Sequence, residues 1–188
     1  MNFAQALGLF LSFYADREPG IAGEKKRIPF PGPVTVYNAH YTEIGQKSLG
    51  RAHIFASDLV NAPNGEVYNV GDSPLVAGAT WRERWPAVCN YFGLLGVGPD
   101  EGGTNSLSVS SYMSRHQGEW EVFERKWGLL PGVIQNSSWE FLDVLLTLTI
   151  FDRHYDLSKF AGLGFEQTDM MKNYEESFGL MRKAKILP

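Results

Sequence analysis

Cysteine is nearly absent from this chain. Cys89 is the single one among 188 residues, so no disulfide can form within it. Positive charge is also in short supply: 17 Lys and Arg stand against 21 Asp and Glu, and the formal charge of −4 argues against nucleic acid or an anionic membrane as partner. No apolar run is long enough for a membrane span. The two longest, residues 2–15 and 139–151, stop well short of the ~20 residues a bilayer needs. The first also lacks a basic flank and a small-residue cleavage site, so it does not read as a secretory leader, and a cytoplasmic location is expected. The histidines, His40, His53, His116 and His154, never fall at His-x-x-x-His or Glu-x-x-His spacing, so no metal centre is expected. There is no G-x-S-x-G elbow of the α/β-hydrolase kind. Nor does a G-x-G-x-x-G turn open a βαβ unit, and the run Gly-Pro-Asp-Glu-Gly-Gly at 98–103 puts a proline and two acids where a phosphate would sit. Internal repeats and low-complexity tracts are missing as well.

What is present is an ordinary globular composition, rich in rings, at 44% hydrophobic and 13% aromatic residues. The length suits one domain with a core of its own over residues 1–188. Its centre is the stretch Gly-Glu-Val-Tyr-Asn-Val-Gly-Asp at 65–72, which reads as a short buried strand led in by Pro63-Asn64-Gly65. Eight residues on, Thr80-Trp81-Arg82-Glu83 is a capping box opening a helix that carries Trp81, Trp85, Val88, Cys89 and Phe92. Cys89 on that apolar face reads as packing.

Around this unit the chain predicts a nearly all-apolar helix over 2–15 and a rigid extended connector at 28–33, where three prolines exclude a central strand. A short strand follows at 34–37 and a helix over about 43–61 ended by Pro63. Another short strand is expected at 94–97, with helices at 108–115 and at 119–127, the second closed by Gly128. The apolar run 139–151 predicts a buried helix. Asp156 caps a short helix, and a final amphipathic helix carries Met171, Tyr174, Phe178 and Met181 on one face. The fold class is therefore α/β, rich in helix, with a few short strands.

Two polar clusters sit where pockets form. Tyr37-Asn38-Ala39-His40-Tyr41-Thr42-Glu43 lies at a strand-to-helix junction, and Asp152-Arg153-His154-Tyr155 follows the apolar run. Turn polarity and helix capping are the plain reading of both. The functional reading makes His40, Asp152 and His154 acid/base groups at the mouth of an aromatic pocket, with Phe10, Tyr14, Tyr37, Tyr41 and Trp139 as the candidates to line it.

The stretch 65–72 with its capped helix, then Asp156-Leu157-Ser158-Lys159, Leu163-Gly164-Phe165 and an amphipathic terminal helix, resemble the carboxy-terminal, substrate-binding half of an extended short-chain dehydrogenase. More narrowly, four features resemble the progesterone 5β-reductase/iridoid synthase family. They are Met1-Asn2 leading into a helix that ends Tyr14-Ala15, then Phe30-Pro31-Gly32, then Trp120 to Trp127-Gly128-Leu129, and the closing Met-Arg-Lys-Ala-Lys-Ile-Leu-Pro at 181–188. The resemblance implies that the glycine fingerprint and the catalytic tyrosine and lysine belong to a nucleotide-binding half that this sequence does not carry, so no cofactor is expected here. Tyr155 and Lys159 match the Tyr-x-x-x-Lys spacing by coincidence, because the resemblance places them in the substrate half. The expected function is a cofactor-independent cyclase, isomerase or lyase on an apolar small molecule in specialised metabolism. The alternatives are one half of a split NADP-dependent enone reductase and a non-catalytic carrier or interaction domain. Two helices apolar nearly all round also predict a homodimer.

Overall fold

The computed structural model describes residues 2–20, 23–58, 65–72, 74, 78–100 and 107–188. Helix α1 (Phe3–Arg17) starts where the Asn2 side chain accepts from the Gln5 N–H at 3.2 Å. Its middle, from Ala6 to Phe13, is buried without a break, and helices α7 (Trp139–Thr147) and α9 (Met170–Lys183) pack against it. One chain thus covers this helix by itself.

Strands β1 (Lys26–Pro29) and β2 (Leu94–Val97) form a two-stranded parallel sheet, with Lys26 opposite Leu94 and Pro29 opposite Val97. Helix α4 (Trp81–Tyr91) lies on this sheet. Its capping box is formed, Glu83 reaching back to the Thr80 N–H at 3.0 Å. Trp85 from α4 has no exposed surface and donates its indole N–H to the Ile28 carbonyl at 3.2 Å. Cys89 is buried beside it, and burial pushes its thiol well above the ordinary range, so it is packing.

Helix α2 (Val34–Asn38) and α3 (Gln46–Asp58) lie between β1 and α4 in sequence, and α5 (Val109–Arg115) and α6 (Trp120–Trp127) follow β2. Asp143 on α7 accepts from the Val109 and Ser110 N–H groups at 2.7 and 2.9 Å, tying the start of α5 to α7. Gly128, at φ 63°, closes α6 in the left-handed conformation that a residue with a side chain resists. Helix α8 (Ser158–Ala161) follows Asp156, whose carboxylate takes the Ser158 N–H at 2.8 Å. Asp169 caps α9 by accepting from Lys172 at 3.1 Å. The outcome is a helix-rich α/β fold, as the sequence indicates, with a parallel sheet of two strands among the described residues.

Four expectations need correcting. Residues 34–37 are helical, because Pro33 sets an N-cap and Val36 and Tyr37 gain burial in one turn; tertiary contact overrides β-branched propensity. The connector at 28–33 is not wholly outside the sheet: Ile28 and Pro29 end β1, where a proline without an N–H is tolerated. Residues 66–71 pair with no strand among the described residues, and Val67 is 80% exposed rather than buried. The apolar run at 139–151 stays helical only to Thr147; Leu148, Ile150 and Phe151 are exposed beyond it. The end of the helix expected over 43–61, the turn residues 63–64 and most of the 98–103 run lie outside the described residues. Among the described residues no helix is long and apolar enough to cross a membrane.

Candidate functional site

A groove of about 520 Å³ opens between the start of α1, residues 43–46 and α9, with Phe3, Ile44, Met170, Leu180 and Met181 giving it an apolar wall. Its polar lining is Asn2, Glu43, Gln46, Asn173, Tyr174 and Ser177, of which Glu43 and Tyr174 are bonded to each other. The Tyr174 hydroxyl donates to Glu43 Oε2 at 2.9 Å. Arg84 of α4 brings its Nε to 3.7 Å from Glu43 Oε1, the two side chains being 11% and 19% exposed. Among the described residues, the buried atoms Glu43 Oε1, Arg84 Nε and the Tyr41 hydroxyl have no hydrogen-bond partner. Burial raises the Glu43 carboxyl above the usual carboxylate range, against the pull of Tyr174 and Arg84. Burial also lifts the Tyr41 and Tyr174 hydroxyls, and in both the Glu43 charge adds to the effect.

A second carboxylate shapes this site without entering it. Asp72, 4% exposed, accepts from the Gly45 N–H at 2.9 Å, the Thr168 N–H at 3.0 Å and the Asn173 amide at 2.8 Å. Its own N–H donates to the Glu43 carbonyl at 2.9 Å. The segment that carries Glu43 is therefore held on the first turn of α9. Gly45 makes this approach possible, since a Cβ there would meet the Asn173 side chain at 2.5 Å.

The structure brings His40, Asp152 and His154 together across more than a hundred residues, but not around the groove. His40 and His154 rings lie 5.9 Å apart, and Asp152 Oδ1 accepts from the His40 backbone N–H at 2.8 Å. Single bridges from Tyr41 to Ala79 and to Arg153 hold the same crossing. Asp152 thus binds backbone rather than an imidazole, and none of the three lines the groove. Phe10 is fully buried against Tyr14 and Tyr112, and Trp139, 5% exposed, sits near Trp120. Tyr14 donates its hydroxyl to the Arg27 carbonyl at 3.1 Å. Tyr37 is buried against Phe30, with the Arg82 guanidinium 5.8 Å from its ring. Tyr41, the one aromatic candidate next to the polar cluster, packs on Trp81 at 5.4 Å. Tyr155 is 57% exposed, and Lys159 pairs with Glu66 at 2.5 Å. Among the described residues no three His, Cys, Asp or Glu side chains are placed to hold a metal ion.

A family model described as the PRISE-like Rossmann-fold domain matches residues 1–188. The chain belongs to that family. It is 33% identical to the "Short chain dehydrogenase sirR" of Leptosphaeria maculans, over 97% of this chain and 46% of that protein. A second L. maculans protein, "Short chain dehydrogenase sirQ", is 29% identical over 100% of this chain and 45% of its own length. The "Short chain dehydrogenase ausT" of Aspergillus calidoustus is 28% identical over 99% of this chain and 44% of its own length. The chain spans about half the length of the curated relatives it matches.

A Rossmann-fold family implies a dinucleotide, and the residues described here do not fit one. The turn after β1 runs through Gly32 into α2, the position where a phosphate cradle would open. A Cβ on Gly32 would meet the Leu146 carbonyl oxygen at 1.8 Å, so protein backbone, not open space, fills that approach. Glu43, Asp72, Arg84 and Asn173 were not singled out from sequence, although Glu43 lies in the 37–43 cluster and Asp72 ends the 65–72 stretch.

Proposed function

We propose that this chain is the substrate-holding half of a short-chain-dehydrogenase-type enzyme of specialised-metabolite biosynthesis, over residues 1–188. The groove between α1 and α9 takes an apolar small molecule and presents one oxygen or unsaturated carbon to Glu43. A single observation carries this reading: a carboxyl raised by burial and bonded to a buried tyrosine lies in the wall of an apolar groove. A protonated Glu43 gives its proton to the bound molecule. The carboxylate left behind, faced by Arg84, takes a proton from a neighbouring carbon and is restored. That exchange isomerises or cyclises a molecule without a cofactor, and a positioned acid/base of this kind contributes about 100- to 10,000-fold.

Hydride transfer is the second reading, favoured by the printed names of the relatives and by their greater length. There the nucleotide is held by another stretch of polypeptide, and this chain binds and orients the molecule to be reduced. The reading extends to a contact between two copies at the end of α7, where Leu148, Ile150 and Phe151 are all more than 60% exposed. Light scattering showing a mass of one chain removes that contact.

The test is to incubate the chain in deuterated water with a panel of apolar ketones and alkenes, reading binding by fluorescence and deuterium uptake by mass spectrometry. Deuterium should enter a bound compound, and Glu43→Gln should slow its entry by about 100-fold with binding little changed. Uptake unaffected by Glu43→Gln removes Glu43 from the chemistry. Binding without uptake leaves the second reading or a carrier.

A further inference from the structure

The groove has a neighbour. Behind the start of α9 lies a hollow of about 440 Å³, bordered by Asp72, Ala79, Glu83, Arg84, Thr168 and Asp169. The two spaces are chemically unlike. Phe3, Ile44, Leu180 and Met181 give the groove its apolar wall, whereas most of the hollow's side chains are polar or charged. One layer of side chains divides them. Asn173 lines the groove and Asp72 the hollow, yet the two are bonded at 2.8 Å; Glu43 and Arg84 stand in the same relation, 3.7 Å apart. Among the described residues, Met170 alone borders both spaces. A methionine is ordinarily an adaptable filler. Here it is held. Met170 opens α9 directly after the Asp169 cap and is 6% exposed. The Asn173 amide has two hydrogens to give: one goes to Asp72, the other to the Met170 sulfur at 3.8 Å. Asp72 thus fixes Asn173 and, through it, the thioether at this end of the groove.

We propose that Met170 sets which molecules the groove accepts: it ends the space for an apolar body and shuts out molecules that carry a hydroxyl beyond that body. The hollow is the compartment such a group would need. A hydroxyl pressed against the Met170 side chain loses its water and gains almost nothing in return. Past Met170 it would stand among polar side chains, including Arg84, whose Nε has no hydrogen-bond partner among the described residues. The inference rests on reading the groove as the site of an apolar small molecule. It is independent of Glu43 and of the chemistry that follows binding. Met181 supplies the natural comparison, because it borders the groove but not the hollow and lies about 16 Å further along α9 by helical rise.

Two probe series test it: straight-chain methyl ketones of increasing length, and the same ketones ending in a hydroxyl. Affinity is read by displacement of a neutral fluorescent dye. In the native chain it should rise about fourfold per methylene until the groove is full. At that length the hydroxyl-ended ketone should bind about tenfold more weakly than the methyl-ended one, or worse. Met170→Ala should erase this penalty and let longer hydroxyl-ended ketones bind. Met181→Ala removes the same atoms from a wall that borders the groove alone, and should leave the penalty in place. A penalty that survives Met170→Ala, or that Met181→Ala removes equally, overturns the proposal. Met170→Val reads the same way, with a smaller effect, if the alanine variant does not fold. A crystal structure of the variant reads the wall without any ketone. One continuous space from groove to hollow supports the proposal, and Asn173 or Arg84 collapsed into the gap overturns it. A native chain that binds no ketone fails the reading of the groove, and that crystal structure still decides whether Met170 is the divider.

Discussion

Two apolar clusters hold this chain, and they are built on different terms. The large one joins α1, α4, α5, α6, α7 and α9 to the sheet, and Leu7, Phe10, Trp85 and Phe178 within it have no exposed surface. The small one has three buried members, Ala52, Phe160 and Phe165, with Phe55, Tyr68 and Val70 half-covered at its edge. Cations close part of it: Arg51 stands 5.5 Å from the Phe165 ring and Lys159 4.8 Å from Tyr68. A cluster that seals itself needs nothing further. One that ends in half-covered rings beside an exposed valine has the form of one side of a contact.

The comparison breaks first at its deepest members. Trp85→Ala removes a fully buried ring and its bond to Ile28 and should cost about 4 kcal/mol in urea unfolding. Phe160→Ala should cost about 2 kcal/mol, because a half-open cluster collapses more easily around the gap. The second change should also speed amide exchange in α3 and residues 66–71 while leaving α1 unaffected. Equal losses with uniform exchange would mean a single cooperative core.

A finer cut is Asp72, where the 65–72 segment beside the small cluster meets the groove. Asp72→Ala leaves the Gly45 and Thr168 N–H groups and the Asn173 amide without their acceptor. About 3 kcal/mol of stability should go, and ligand binding in the groove should weaken with it. Intact binding at that loss would show that Glu43 keeps its place without the brace.

The smallest effect is one of pH. Because the folded carboxyl of Glu43 is raised above its ordinary value near 4.5, the folded state holds that proton more tightly than the unfolded one. Its contribution is full below the unfolded value and is lost as pH rises through the folded one. Stability should therefore fall over that window in the native chain and stay flatter in Glu43→Gln. Parallel pH curves for the two proteins would mean that Glu43 titrates as in water.

Much of the scaffold was legible because its signals are local. Thr80 and Glu83 announce α4, Gly128 ends α6, and the spacing of Tyr174, Phe178 and Met181 draws the buried face of α9. Val34–Asn38 misled because a β-branched run after prolines reads as strand, whereas the helix is decided by what Val36 and Tyr37 bury against. Residues 66–71 misled in the opposite way: they are strand-like, but pairing belongs to a neighbour and not to the run itself. The site was harder still. His40, Asp152 and His154 attracted notice as chemical types, and they do meet, yet at a backbone crossing. Asp72 and Asn173 are ordinary polar residues 101 positions apart until folding sets one against the other. Glu43 matters through Tyr174 and Arg84, which no spacing links to it.

The parallel pairing of β1 with β2 also has a consequence for synthesis. Lys26 meets Leu94 about 70 residues later in the chain, whereas α4 and β2 are almost continuous in sequence. On a ribosome adding about 5–20 residues per second, β1 emerges on the order of ten seconds before its partner exists. Through that wait Ile28 and Phe30, both buried in the finished molecule, have nothing from β2 or Trp85 to cover them. Four short residues with Lys26, Arg27 and Pro29 among them make a poor nucleus for self-association, so the interval is passed as a charged, proline-stopped stub rather than a sticky one.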